Sequence, residues 1–146
     1  MKKSIFILIA LLLMATGCKK EKTVDYAKQV IGEWHCVPET FDADVYLALD
    51  PDGTFALYQQ IGEGRHRHYS GEWELDGITL SGSYSGGEAW GSSYQVSFSG
   101  GNTMILKALN GSEEVMTYSR NTIPSEVMEG SVEMKSDAAI DCRPVL

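Results

Sequence analysis

Two segments of the chain, "RHYSGEWEL" (Arg67 to Leu75) and "ITLSGSY" (Ile78 to Tyr84), flank the dipeptide Asp76-Gly77. Alternating apolar and polar residues on both sides of Asp-Gly are the strongest short-range signal for a β-hairpin. The same period of two recurs along the chain. "DVYLALD" (Asp44 to Asp50) and "GTFALYQQI" (Gly53 to Ile61) alternate about the turn "DPDG". "WGSSYQVSF" (Trp90 to Phe98), "TMILKAL" (Thr103 to Leu109) and "EVMTYSR" (Glu114 to Arg120) follow, separated by glycine- and asparagine-rich turns. With "EWHCV" in front, the pattern predicts eight short strands and no helix between them. Neighbouring strands joined by tight turns favour an antiparallel up-and-down meander. Eight of them escape the hazard of exposed edges by closing into a barrel. The expectation is therefore an all-β, eight-stranded antiparallel β-barrel over residues 30–124. A helical pattern appears only afterwards. "IPSEVMEGSVEM" (Ile123 to Met134) predicts a short C-terminal helix against the barrel, within a tail over residues 125–146.

The first residues carry a different signal. Lys2 and Lys3 precede "IFILIALLLM" (Ile5 to Met14), an unbroken apolar run of ten. A spanning helix needs about 20 such residues, so the run has the proportions of a signal-peptide core. "ATGC" follows and resembles the lipobox of bacterial lipoproteins, with Ala15 where Leu is usual. That resemblance implies cleavage after residue 17, acylation of Cys18 by palmitate-like chains, and a lipoprotein of the cell envelope and outer membrane, facing the periplasm or the cell surface. Each buried methylene stabilises the membrane-bound form by about 0.8 kcal/mol, so several chains make a firm anchor. Residues 18–29, beginning "CKKEKTVDY", hold too little apolar content to pack and read as a tether. Removing Lys2 and Lys3 with residues 1–17 moves the formal charge from −8 to −10. Such an acidic chain repels phosphate backbones, which argues against nucleic acid as a partner.

The spacing Gly32-x-Trp34 in the first strand, with Arg120 ending the last, resembles the lipocalin signature. The wider layout ("IGEW", "DGTF", "YSGEWELDGITLSGSYSGG", "YSR" followed by "IP") is similar to a family of bacterial lipocalin-like lipoproteins. The central Thr-Asp-Tyr lipocalin motif is absent. The resemblance implies a cup-shaped barrel whose narrow end is closed by Gly32, Trp34 and Arg120, with the guanidinium across the indole and Gly32 leaving room for the ring. Contact of Trp34 with a ligand is the alternative.

If one parity faces inward, Val45, Leu47, Leu49, Phe55, Leu57, Tyr69, Ile78, Leu80, Tyr84, Tyr94, Val96 and Phe98 line the interior. Such a lining suits a small hydrophobic ligand and equally describes a filled core. Trp90, at the start of a strand near the rim, is the first candidate for touching a guest. Tyr69, Tyr84, Tyr94, Phe55 and Leu47 are the others. Two functions stay open: a lipid-anchored module binding a small hydrophobic ligand, and a structural or adaptor lipoprotein with a filled barrel and a protein partner on its surface.

With Cys18 acylated, Cys36 and Cys142 remain as a pair in an oxidising compartment. A bridge would close a loop of about 105 residues, worth up to ~4–5 kcal/mol in the chain-entropy model. Parity places Cys36 inside with Trp34, so a bridge to an outer tail needs a bulge or a strand end at Cys36. His35, His66 and His68 are the only imidazoles. "RHRH" reads as a solvated basic loop, and two histidines without a third ligand make a poor metal site. No nucleophile elbow or calcium loop is found, so neither an enzyme nor a cofactor is expected.

Overall fold

The computed structural model describes residues 25–134 and 144–146. The expected leader, Cys18 as the expected acylation site, and the disulfide candidate Cys142 lie outside the described residues.

Eight strands follow one another: β1 (Gly32–Cys36), β2 (Ala43–Leu49), β3 (Thr54–Ile61), β4 (Arg67–Asp76), β5 (Thr79–Tyr84), β6 (Tyr94–Phe98), β7 (Thr103–Ala108) and β8 (Val115–Arg120). Each pairs antiparallel with the next, and β1 pairs with β8, so the sheet closes into the expected barrel. Period two decides which side chains point inward. Val45, Leu47 and Leu49 of β2, Phe55 and Leu57 of β3, Met104 and Leu106 of β7, and Met116 and Tyr118 of β8 are all buried in one continuous cluster.

The hairpin between β4 and β5 turns one residue later than its sequence suggests. Asp76 pairs with Thr79, so Gly77 and Ile78 form the two-residue loop. Gly77 has φ +62°, whereas Ile78 has no positive φ. That combination suits a type II′ turn, which wants glycine first. Ile78 is thereby exposed in the turn and does not line the interior. Leu80 begins the inner row of β5 instead.

Two short helices flank the barrel. In α1 (Tyr26–Gln29) the Asp25 side chain accepts from the Lys28 N–H and caps the turn. The end of the expected tether is thus ordered, and Tyr26 packs on Phe98 with ring centroids 5.5 Å apart. The other helix, α2 (Ser125–Gly130), is shorter than the apolar pattern suggests. Ser131 is extended, and Val132–Glu133 form β9, parallel to Arg67 and His68 of β4. The physical reason lies in β4, whose pairing with β5 runs only from Gly71 onward. Its first residues offer an unpaired edge, and the backbone of β9 satisfies it. Ile123 and Val127 cover Tyr46, Ala48 and Tyr58 on the outer face of β2 and β3. Met128 and Val132, apolar residues within the stretch expected to be helical, are exposed.

At the lower end of the barrel, where β1 begins and β8 ends, Trp34 and Arg120 meet. Trp34 is fully buried, and its Nε1–H donates to the Val30 carbonyl at 2.8 Å. The Arg120 guanidinium carbon stands 4.1 Å from the ring centroid, a contact worth about 0.5–2 kcal/mol. Arg120 also donates to the carbonyls of Ile31 (3.0 Å), Gln29 (2.8 Å) and Gly101 (3.4 Å). Gly32 works differently from the sequence expectation. It has φ +138°, and a Cβ there would strike Arg120 Nη1, so the room it leaves is for the guanidinium and not the indole.

Candidate functional site

The upper end is where the strands separate. β5 and β6 pair at only two positions, Thr79↔Gln95 and Leu80↔Tyr94. Beyond them β5 continues to Tyr84, and the chain turns back so that Glu88 to Trp90 pair with the end of β5: the Tyr84 N–H donates to the Glu88 carbonyl at 2.7 Å, the Trp90 N–H donates to the Gly82 carbonyl at 2.9 Å, and Ser83 bridges Ala89. Residues 144–146 of the same chain lie in this opening. Leu146 is buried in the main core cluster. Its main-chain oxygen accepts from Tyr84 Oη at 2.7 Å and from the Gly91 N–H at 3.2 Å. The Val145 N–H donates to Gln59 Oε1 at 2.8 Å, and its carbonyl accepts from Tyr94 Oη at 3.3 Å. Gln59 is the one fully buried polar side chain among the described residues.

Aromatic rings form the floor beneath this segment. Phe55 meets Trp90 edge-on (centroids 5.1 Å, 82°) and Tyr84 (5.7 Å, 72°). Tyr69 meets Tyr84 at 5.9 Å, and Trp90 meets Tyr94 at 6.3 Å. Two inward-facing glycines make space for the rings. A Cβ on Gly82 would strike the Trp90 indole, reaching Cζ2 at 2.6 Å, and a Cβ on Gly71 would come within 2.9 Å of Phe55 Cε1. The structure therefore brings five of the six sequence candidates (Trp90, Tyr69, Tyr84, Tyr94 and Phe55) into linked ring contacts. Leu47 is buried in the same core cluster. Trp90 does not stand on the rim. It turns in over Gly82, where its Nε1–H is buried with no hydrogen-bond partner among the described residues. An unmet buried donor costs about 1–3 kcal/mol. Sequence reasoning missed Gln59 and residues 144–146. A polar residue at an inward parity of β3 was the available signal for Gln59.

Burial raises the pKa of the buried phenols. Tyr94 is pushed up to about 12, by desolvation first and then by the charge of Glu114. Tyr84 and Tyr118 are pushed up for the same leading reason. A phenol held neutral in the fold supports stability below pH 10, its ordinary pKa, and loses that contribution as pH rises toward the folded value. Each such tyrosine then costs about 1.4 kcal/mol per pH unit. Stability, followed by denaturant unfolding at a series of pH values, should be insensitive to tyrosine up to about pH 9 and fall steeply between about pH 10 and 12. A flat profile to pH 12 would contradict the buried placement of these rings.

Cys36 is the last residue of β1, a strand end, and is buried; its expected partner Cys142 lies outside the described residues. Burial pushes the Cys36 thiol up to about 11.

The histidines lie on the outer wall. His35, Tyr46, Tyr58 and His68 occupy successive cross-strand positions on β1 to β4. His35 stacks on Tyr46 (4.3 Å) and His68 on Tyr58 (4.5 Å, 5°). Burial lowers the His68 pKa, opposed by Glu133. Asp44 accepts from His35 Nε2 at 2.5 Å and from His66 Nε2 at 2.9 Å. The "RHRH" stretch is thus not a solvated loop: His66 is hydrogen-bonded to Asp44 and His68 is stacked on Tyr58. Its partner Asp44 could not be read from local spacing, because it comes from 22 residues away. Among the described residues no group of three or more His, Cys, Asp or Glu side chains is arranged to hold a metal ion.

Compared with protein-family models and with curated proteins, the chain has no significant match.

Proposed function

We propose that the chain is an outer-membrane lipoprotein of the cell envelope, anchored by acyl chains on Cys18, whose barrel binds a small hydrophobic ligand at its upper end. The observation that carries this reading is the seating of residues 144–146. The upper end accommodates an aliphatic side chain on an aromatic floor while Tyr84, Tyr94 and Gln59 supply hydrogen bonds. A few polar groups aimed into an apolar enclosure are what fix a ligand's orientation. The second reading is an adaptor lipoprotein with a filled barrel that meets a protein through its surface. The unbroken buried cluster of inward side chains favours it.

Native mass spectrometry of the full mature chain, purified from the cell envelope, separates the two. A non-covalent adduct of small mass, lost in Trp90→Ala, is the expected result. A protein adduct with an unliganded barrel would support the adaptor instead. Loss of membrane association in Cys18→Ser tests the anchor, and a Cys18→Ser protein that stays membrane-bound would refute it.

A further inference from the structure

We infer that the upper end of the barrel is a peptide-recognition site, that residues 144–146 occupy it as a plug in cis, and that its partner in trans is an extended aliphatic peptide segment. This rests on the reading of the upper end as the binding site and names the ligand class.

The hydrogen-bond pattern carries the inference. Over two consecutive residues the site supplies an acceptor for a main-chain N–H and donors for two main-chain oxygens. Gln59 Oε1 takes the Val145 N–H, Tyr94 Oη reaches the Val145 oxygen, and Tyr84 Oη together with the Gly91 N–H reaches the Leu146 oxygen. That sequence of acceptor, donor, donor matches a peptide backbone. An acyl chain or polycyclic hydrocarbon offers at most one polar end and would leave several of these buried groups unmet, an unfavourable exchange. The Leu146 side chain sets the side-chain preference, since it is buried in the core cluster with the aromatic rings.

A second feature says why a foreign peptide could replace the plug. Trp90 Nε1 is buried and finds no partner among the described residues, residues 144–146 included, so the cis segment leaves this donor unmet. A ligand with one more acceptor would satisfy it. Against that advantage stands proximity, because a segment of the same chain competes at an effective concentration on the order of mM. The plug therefore sets a threshold that only a better-matched or abundant peptide crosses.

The test uses a fluorescein-labelled peptide, Ser-Arg-Pro-Val-Leu, with fluorescence anisotropy on the full mature chain and on variants. A chain lacking residues 144–146 should bind the peptide at least about tenfold more tightly than the intact chain, the direction that removing a tethered competitor dictates. Adding Tyr84→Phe should reverse most of that gain. In the intact chain, excess unlabelled peptide should accelerate hydrogen–deuterium exchange at the Val145 amide. That second measurement keeps the inference exposed to refutation if the shortened chain fails to fold. Equal binding by intact and shortened chains, or a Val145 amide still protected at saturating peptide, overturns it. An apolar dye that binds the shortened chain and is displaced by fatty acid but not by the peptide would overturn the peptide class and leave the binding-module reading standing. Absence of both dye and peptide binding would remove both.

Discussion

Trp34→Ala should destabilise the barrel by about 3–5 kcal/mol, the range for deleting a large aromatic from a packed interior. Three losses combine at this one position. The indole is fully buried, so its removal leaves a cavity at the narrow end where the surrounding strands cannot collapse freely. The Nε1–H bond to the Val30 carbonyl disappears, and so does the surface beneath the Arg120 guanidinium. Arg120 would still be tied to Ile31, Gln29 and Gly101, so it cannot move in to fill the space without breaking those bonds. Since a domain is stable by only about 5–15 kcal/mol in all, the variant should sit close to unfolding at physiological temperature. Urea denaturation is the direct measurement, and a midpoint shift corresponding to less than about 1 kcal/mol would show that the indole is not the closure. Trp34→Phe separates the contributions. It keeps a ring under Arg120 and gives up the donor, so it should cost clearly less.

Gly71→Ala should cost about 3 kcal/mol even though it adds a single methyl group. Alanine ordinarily favours stability relative to glycine, and at most strand positions the exchange is mild. Gly71 is different because of what its Cβ would meet. It would strike the Ser83 carbonyl oxygen, with Tyr84 Cα at 2.8 Å and Phe55 Cε1 at 2.9 Å. A side chain such as Phe55 can rotate away, but the Ser83 and Tyr84 atoms are backbone of the paired strand. Relief requires prising β4 from β5, and Tyr84 would carry the upper end of the barrel with it. Gly101→Ala serves as the comparison, since nothing lies within 4 Å of its added Cβ. It should change stability by less than about 0.5 kcal/mol. Similar unfolding midpoints for the two variants would show that close packing at Gly71 is not what matters.

The legibility of the fold follows from how local its signals are. Alternation in "DVYLALD" and "GTFALYQQI" survives any change of context, because consecutive side chains of a strand point to opposite faces. Trp34 and Arg120 were paired through resemblance, and the structure puts the guanidinium over the indole. Errors arose where one residue of register decides the outcome. Moving the β4–β5 turn to Gly77 and Ile78 took Ile78 out of the interior. At "EGSVEM" (Glu129 to Met134) the local pattern also competes with an edge that only the assembled sheet offers. Val132 therefore became strand β9 and did not extend α2.

The candidate site was legible in its rings and not in its polar groups. Aromatic residues at inward parities identify Phe55, Tyr69, Tyr84 and Tyr94 before any coordinates. Which molecule meets the tyrosine hydroxyls is a different kind of question, since Gln59 and Val145 are 86 residues apart, and Tyr84 and Leu146 are 62 apart. No sequence periodicity carries that information. The same holds for Asp44 between His35 and His66, where three separate segments meet.

Alternating hydrophobicity and turn chemistry were enough to specify a closed meander of eight strands, because both act between near neighbours. Closure at each end was decided in three dimensions. At the lower end the Gly32 backbone makes room for a guanidinium from the other end of the barrel's sequence. At the upper end Gln59, Tyr84, Tyr94 and the Gly91 N–H bring hydrogen-bonding groups together from separate segments, and residues 145 and 146 bond to all four. Unmet polar groups in an apolar interior are costly wherever their partners come from, so the tertiary structure recruits whatever segment can reach.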